Sequence, residues 1–232
     1  MTESVIKSER YPRTVRSFVK RGGRIPPGTK KAFEAAWQHY GITLDSYAMD
    51  TSILDFSHLF RQSQPVILEI GFGMGDSLLA MAQSNPQWNY LGVEVHEAGI
   101  ARVVKMAAKY GLTNLKIAAV DAVWLLEQII ANESLAGVQI FFPDPWHKKR
   151  HEKRRLINQG FIGLLHDKLS SDGWVHVATD WAPYAEQVES LFAENAIFQP
   201  ICPAKRPLTK FENRGIGLGH QVQDLSYQKK PL

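Results

Sequence analysis

From residue 65 onward the chain alternates between two periodicities, and this alternation restricts the fold more than any other feature. Val66-Ile67-Leu68-Glu69-Ile70 is a short apolar run, and helical spacing follows it through Leu78, Leu79, Met81 and Ala82. The pattern then repeats. Tyr90-Leu91-Gly92-Val93 precedes a helix over about 97–109, and residues 115–120 precede one at about 122–131. Residues 138–142 precede a helix at about 156–169, and residues 174–178 one at about 182–194. Short apolar runs joined by helices of this length build a parallel sheet covered by helices on both faces. Crossovers are right-handed, so every strand opens its C-terminal end on one edge, where ligands bind. Residues 198–201 and 218–228 add a final pair of strands. The expectation is an α/β, Rossmann-like, mostly parallel seven-stranded sheet.

What precedes residue 65 is less regular. Residues 1–31 read as a basic N-terminal arm ending near Pro26-Pro27-Gly28, Lys31–Tyr40 as a short helix, and 52–61 as a connector. The chain has 232 residues, 44% of them hydrophobic, which suits one large domain spanning 32–232. No apolar run approaches the roughly 18 residues needed to cross a bilayer, so no membrane association is expected. The polar, basic N-terminus is not followed by an apolar segment, so no secretory signal is read there. Cys202 is alone, which excludes a disulfide framework or a cysteine zinc site within one chain and fits a reducing cytoplasm. It is expected to pack as a small apolar side chain near a strand.

Charge is unevenly spread. Residues 1–31 carry nine Lys/Arg against Glu3 and Glu9, and residues 146–155 carry six against Glu152. With a whole-chain charge of +4, the remainder is acidic by eight charges. Two basic segments on an acidic body point to a polyanion docked on part of the surface.

The strand ends carry the candidate chemistry. Strand one ends in Glu69-Ile70-Gly71-Phe72-Gly73-Met74-Gly75-Asp76. Gly71 and Gly73 permit a tight turn and close approach of backbone to a ligand. Against the nicotinamide fingerprint G-x-G-x-x-G, the third glycine comes one residue early and Asp76 takes the last position. Asp76 or Ser77 can cap the next helix, and a carboxylate there competes with a pyrophosphate for the same N–H donors. A ligand without phosphates fits better, and S-adenosylmethionine is one, with Glu69 near its positive groups. Glu94, ending strand two, can accept from both ribose hydroxyls. Asp121, ending strand three, can accept from an adenine amino group beside the small Ala122, or cap the following helix, or do both.

Strand four runs out into Phe142-Pro143-Asp144-Pro145-Trp146 and then His147 to Arg155, with six Lys/Arg in the last eight residues. The two prolines hold Asp144 at the sheet edge and push Phe142 and Asp144 out of the right-handed helical region. Trp146 offers a face on which a base can stack. Lys148 lies nearest the edge, while Arg150, Lys153, Arg154 and Arg155 enter a helix and can neutralise phosphates. His147 and His151 lack the partners of a metal site and read as polar surface groups. Strand five ends in Thr179-Asp180-Trp181. Thr209-Lys210-Phe211-Glu212-Asn213-Arg214-Gly215 brings hydroxyl, carboxylate and base together in an expected loop.

Taken together, the 69–75 loop, Phe142 to Trp146 with its basic tail, Ala178-Thr179-Asp180-Trp181 and the 209–215 run resemble the bacterial tRNA (guanine-N7-)-methyltransferase family. The resemblance implies a class I methyltransferase fold, S-adenosylmethionine as donor, and N7 of the variable-loop guanine (position 46) of tRNA as acceptor. It implies cofactor contacts at Glu69, Glu94, Asp121 and Asp144, with Asp144 catalytic. It implies a substrate site of Lys148, Asp180, Thr209, Lys210, Phe211 and Glu212, and an RNA-contacting stretch from Arg150 to Arg155. The basic arm around Arg16–Arg24 is similar to the family's variable N-terminal extension. Neither a metal nor an obligate protein partner is expected. A nicotinamide oxidoreductase would need a proton relay beside the glycine loop, and none is evident. A non-catalytic RNA-binding protein is disfavoured, since RNA alone would be repelled by the row of strand-end carboxylates.

Overall fold

All five apolar runs form strands: β1 (Val66–Ile70), β2 (Asn89–Val93), β3 (Leu115–Ala118), β4 (Leu135–Phe141) and β5 (Leu169–Thr179). β6 (Phe198–Ile201) and β7 (Gln223–Lys229) complete the sheet. The computed structural model describes residues 27–44, 53–217, 219 and 221–230, and the basic arm preceding residue 27 lies outside them. The helices are α1 (Pro27–Tyr40), α2 (Phe56–Leu59), α3 (Asp76–Ser84), α4 (Glu97–Tyr110), α5 (Ala122–Gln128), α6 (Gln159–Lys168), α7 (Ala182–Ala193) and α8 (Lys210–Gly217).

The seven strands lie in the order β3-β2-β1-β4-β5-β7-β6. β1 to β5 pair in parallel, and β7 runs antiparallel to both β5 and β6. The chain steps outward from β1 to β3 and then returns to β1's other side as β4. That reversal opens a crevice beyond the ends of β1 and β4, the position at which such sheets take their ligands.

The core has two layers because successive strand residues face opposite ways. Val66, Leu68, Ile70, Val138, Ile140, Val175 and Val177 pack against α5, α6 and α7. Ile67, Tyr90, Leu115 and Ile117 pack against α1, α3 and α4. Leu68, Ile140 and Val177 are fully buried. Each such side chain contributes about 1.5–3 kcal/mol through apolar burial. The expected helices on both faces are present.

Several local expectations are corrected. α1 begins at Pro27, four residues before the expected start, because proline suits the first helical position, where no N–H is needed. The connector contains α2, capped by Asp55, which accepts from Ser57 N at 2.8 Å, and anchored by buried Leu54 and Phe60. β5 begins at Leu169, directly after α6. The 209–215 run is the start of a helix instead of a loop. Cys202 is exposed, since it follows the last residue of β6 and leaves the sheet.

Candidate active site at the carboxyl edge of the sheet

The turn after β1 is built on glycines. Gly71, Gly73 and Gly75 have φ of 71°, 54° and 73°, the left-handed region that side chains resist. Gly75 is the most constrained, because a Cβ there would lie 2.1 Å from Val103 Cγ2 on α4. Gly75 is also the N-cap of α3, and no side chain caps that end. The expectation that Asp76 or Ser77 caps it is therefore corrected. Asp76 instead pairs with Arg102 of α4 at 2.6 Å, and Arg102 also donates to the Met74 carbonyl. Glu94 ties the same turn to β2. Its Oε2 accepts from Gly73 N at 2.8 Å, and its Oε1 accepts from Val95 N and His96 N at 2.6 and 2.9 Å.

Asp121 is the N-cap of α5, accepting from Trp124 N at 3.0 Å, with Ala122 as the first helical residue. Glu69, one residue from the end of β1, is only 2% exposed, and its Oε2 has no hydrogen-bond partner. Burial drives its carboxyl up to about 8, against the opposing pull of the Arg206 guanidinium.

The turn after β4 is strained. Phe142 has φ 52° and Trp146 φ 49°. Phe142 does leave the right-handed helical region, but it goes left-handed and not extended. Such residues cost of order 1–3 kcal/mol each and persist only where their surroundings hold them. The holding contacts are specific. Phe142 N donates to Ala178 O at 2.7 Å, and Arg206 Cζ lies 5.4 Å from its ring. Trp146 takes Arg154 Cζ at 4.9 Å from its ring centroid and the His151 ring edge-on at 5.8 Å. Asp144, between the two prolines, is exposed. At the neighbouring end of β5, Asp180 precedes an exposed Trp181, whose ring meets His147 edge-on at 4.3 Å. That contact ties the β4 and β5 ends together.

The basic stretch is a 3₁₀ turn, Lys149–Arg154, with Lys148 as its N-cap. Lys148, Arg150, Lys153 and Arg154 are exposed. Desolvation and the surrounding Arg150, Arg154, Lys148 and Lys153 hold the His151 imidazole below its usual range. Arg155 is different. It is 5% exposed, donates to the Pro145 carbonyl at 2.8 Å and to the Gln187 side chain, and lies over the Tyr184 ring. The expectation that Arg155 meets phosphate is corrected: it braces the β4 turn against α7.

A second network was invisible in the sequence. Arg206 donates to both oxygens of Glu212 at 2.6 and 2.7 Å and to both of Asp224 at 2.7 and 3.1 Å. Asp224 also bonds His176 Nε2 at 2.8 Å. Desolvation would raise the Asp224 carboxyl, but the bonds from His176 and Arg206 hold it down at about 2. Thr209 and Glu212 form a reciprocal cap at the start of α8. Glu212 N donates to Thr209 Oγ1 at 3.1 Å, and Thr209 N donates to Glu212 Oε2 at 3.3 Å. The sequence signal was present, since a threonine followed three residues later by glutamate is a capping box. Glu212 is 4% exposed and turned onto Arg206, so it does not face an open substrate site as expected. Lys210 and Phe211 lie in α8, and their side chains lie outside what the structure describes. No group of three or more His, Cys, Asp or Glu among the described residues is arranged to hold a metal ion.

One sheet edge thus unites a glycine turn, acids at the ends of β1 to β5 and an exposed cationic turn. A family model described as a putative methyltransferase matches residues 63–225. The tRNA (guanine-N(7)-)-methyltransferase of Halorhodospira halophila is 43% identical over 95% of this chain and 97% of its own. Those of Sodalis glossinidius and Methylobacillus flagellatus are 44% and 45% identical, covering 97% or more of each chain compared. The chain belongs to the tRNA (guanine-N(7)-)-methyltransferase family. Solved structures agree on the fold of this family member. The 16S rRNA methyltransferase KamB superposes with a TM-score of 0.58 at 16% identity, covering 77% of this chain and 95% of its own. A 16S rRNA (adenine(1408)-N(1))-methyltransferase from Catenulisporales acidiphilia, solved with its cosubstrate SAM, gives 0.51 at 15% identity, covering 82% and 92%. The class I methyltransferase fold of this methyltransferase is thereby established.

Proposed function

We propose that this chain transfers a methyl group from S-adenosylmethionine to N7 of a guanine in tRNA, the variable-loop guanine being the target. The observation that carries the reading is the 43–45% identity to tRNA (guanine-N(7)-)-methyltransferases over nearly the whole chain. The residues at the sheet edge suit that donor. Glu69 offers a buried acid with an unpartnered oxygen, Gly71 and Gly73 allow close backbone approach, and Glu94, Asp121 and Ala122 stand at the adjacent strand ends. When bound, the donor supplies a methyl group on a sulfonium.

The protein's task is positioning. Guanine N7 has a free lone pair at neutral pH, so no base is needed to create the nucleophile. Alignment at near-attack distance supplies much of the rate. Positive charge develops on the purine ring as N7 is methylated, and a fixed carboxylate stabilises it. Asp144 is the catalytic candidate, because its flanking prolines and the left-handed Phe142 and Trp146 fix its turn. It also contributes to the cofactor site and can accept from guanine N1–H or the amino group. Lys148 and Asp180 hold the base, and Thr209, Lys210 and Phe211 at the start of α8 complete the substrate site. Extruding the base costs a few kcal/mol, offset by phosphate contacts from Arg150, Lys153 and Arg154. The lone Cys202 fits a cytoplasmic setting.

The test is incubation with methyl-labelled cofactor and unmodified tRNA, followed by nucleoside mass spectrometry. Labelled 7-methylguanosine from the variable loop is the expected product. Label in another nucleoside, or none, overturns the reading.

A further inference from the structure

The register of the sheet aligns four polar residues in one row. Glu69 on β1 pairs with Gln139 on β4, Gln139 with His176 on β5, and His176 with Ser226 on β7. Register partners point to the same face of a sheet, on strands roughly 4.8 Å apart. All four are buried, Gln139 being only 1% exposed. A buried polar atom without a partner is costly, so each one calls for an explanation. Two such atoms belong to register partners on adjacent strands: Glu69 Oε2 and Gln139 Oε1. Both are acceptors as they stand. A single proton on Glu69 turns its oxygen into a donor and satisfies both.

The charges around the row favour that proton. Arg206 is the cation that acts on Glu69, yet it is already bonded to two carboxylates, Glu212 of α8 and Asp224 of β7. From β2, Gly92 pairs with Glu69 and Tyr90 lies near it, with its hydroxyl pushed up to about 12 by burial and therefore neutral. From β5, His176 is bonded to Asp224. Among the described residues, no group facing Glu69 brings a spare positive charge. A cofactor carrying a sulfonium does.

We propose that Gln139 is the positioning residue for Glu69 and that cofactor binding is a proton-exchange step. In the empty enzyme Glu69 keeps its proton and donates it to Gln139 Oε1. When a cationic cofactor binds beside Glu69, the O–H bond breaks, the electron pair stays on the carboxylate and the proton leaves to buffer. The Gln139 amide then turns to offer its N–H₂. Glutamine can partner an acid in either protonation state, because it carries an acceptor and a donor on one group. This inference rests on S-adenosylmethionine being the donor.

Calorimetric titration with S-adenosylmethionine at pH 7, in two buffers of different protonation enthalpy, counts the protons exchanged. The wild type is expected to release about one proton more per cofactor than Glu69→Gln. Relative to Glu69→Gln, its cofactor affinity should rise about tenfold per pH unit between pH 6 and 7. Gln139→Leu should weaken cofactor binding on the order of tenfold, the loss of one hydrogen bond to a charged group, and leave the KM for tRNA unchanged. A second measurement needs no variant: the carbon-13 carboxyl resonance of Glu69 in the empty enzyme should be that of a neutral acid at pH 7. An ionised Glu69 there, equal proton counts in wild type and Glu69→Gln, or a Gln139→Leu affinity within twofold of wild type overturns the proposal. If S-adenosylmethionine does not bind at all, the cofactor reading fails too, while the carboxyl resonance still reports the state of Glu69.

Discussion

The guanidinium of Arg206 lies 5.4 Å from the ring of Phe142, so the buried cation of the α8 network also supports the strained turn that carries Asp144. Arg206 reaches Glu212 of α8 and Asp224 of β7 at the same time. Removing it leaves two carboxylates without their cation. Arg206→Met should lower stability by about 3–5 kcal/mol, read from urea unfolding. It should also weaken a specific acid response. The Asp224 carboxyl is held at about 2, so its contribution is full above the ordinary carboxylate range and fades as pH falls toward 2. A variant as stable as the wild type would show that the network is not structural.

Asp144→Ala should lower the rate of methyl transfer by about 10²–10³-fold, the usual effect of removing one preorganised electrostatic group. Binding of tRNA should stay within a few fold, since the exposed cations of the 3₁₀ turn are untouched. Filter binding and label incorporation on the same preparation check both halves. Near-normal turnover would remove Asp144 from the mechanism.

The cationic turn separates into two kinds of arginine. Lys153→Ala combined with Arg154→Ala should weaken tRNA binding and reduce the salt slope by roughly 1.5–2 units, one phosphate contact for each side chain. Arg155→Ala should leave that slope unchanged and lower the melting temperature, because Arg155 bonds Pro145 and Gln187 inside the protein. The same slope change for both variants would contradict the inward placement.

Thr209→Ala should cost about 0.5–2 kcal/mol of stability through loss of the α8 cap, with Thr209→Ser close to neutral. Denaturant midpoints decide this. Equal losses for alanine and serine would mean that the methyl group matters and the hydroxyl does not.

Burial of Glu69 makes the stability of the cofactor-free protein fall as pH rises from the ordinary carboxylate range toward about 8. Its carboxyl titrates near 8 when folded and in the ordinary carboxylate range when unfolded. The folded state therefore holds the extra proton between those values, and stability falls as pH rises through them. Denaturant midpoints of wild type and Glu69→Gln should diverge steadily from pH 5 to 8.5, with the variant losing less. Parallel curves would argue against a proton on Glu69.

Most of the scaffold was legible because it rests on local rules. The runs at 66–70, 90–93 and 138–142 are apolar at strand length, and the spaced residues of α4 and α7 declare one face. The strand-end positions of Glu94, Asp121, Asp144 and Asp180 followed from topology alone. The Arg206 network was not legible, because its partners come from β5, β7 and α8, brought together only by antiparallel pairing of the last strands. The inward turn of Arg155 was hidden for a related reason: charge predicts solvent, and only the buried Tyr184 and the Pro145 carbonyl explain the exception. The capping box was readable, since Thr209 stands three residues before Glu212 at the start of α8 and the two cap each other.

The left-handed pair at Phe142 and Trp146 sets a thermal order of events. Their conformation is held from outside, by Arg206, Arg154 and an amide bond to β5, and not by their own preferences. On warming, such a loop relaxes before the apolar layers on either side of the sheet give way. Loss of activity on warming is accordingly expected some degrees below global unfolding, a gap that activity and circular dichroism followed on one heating ramp would read.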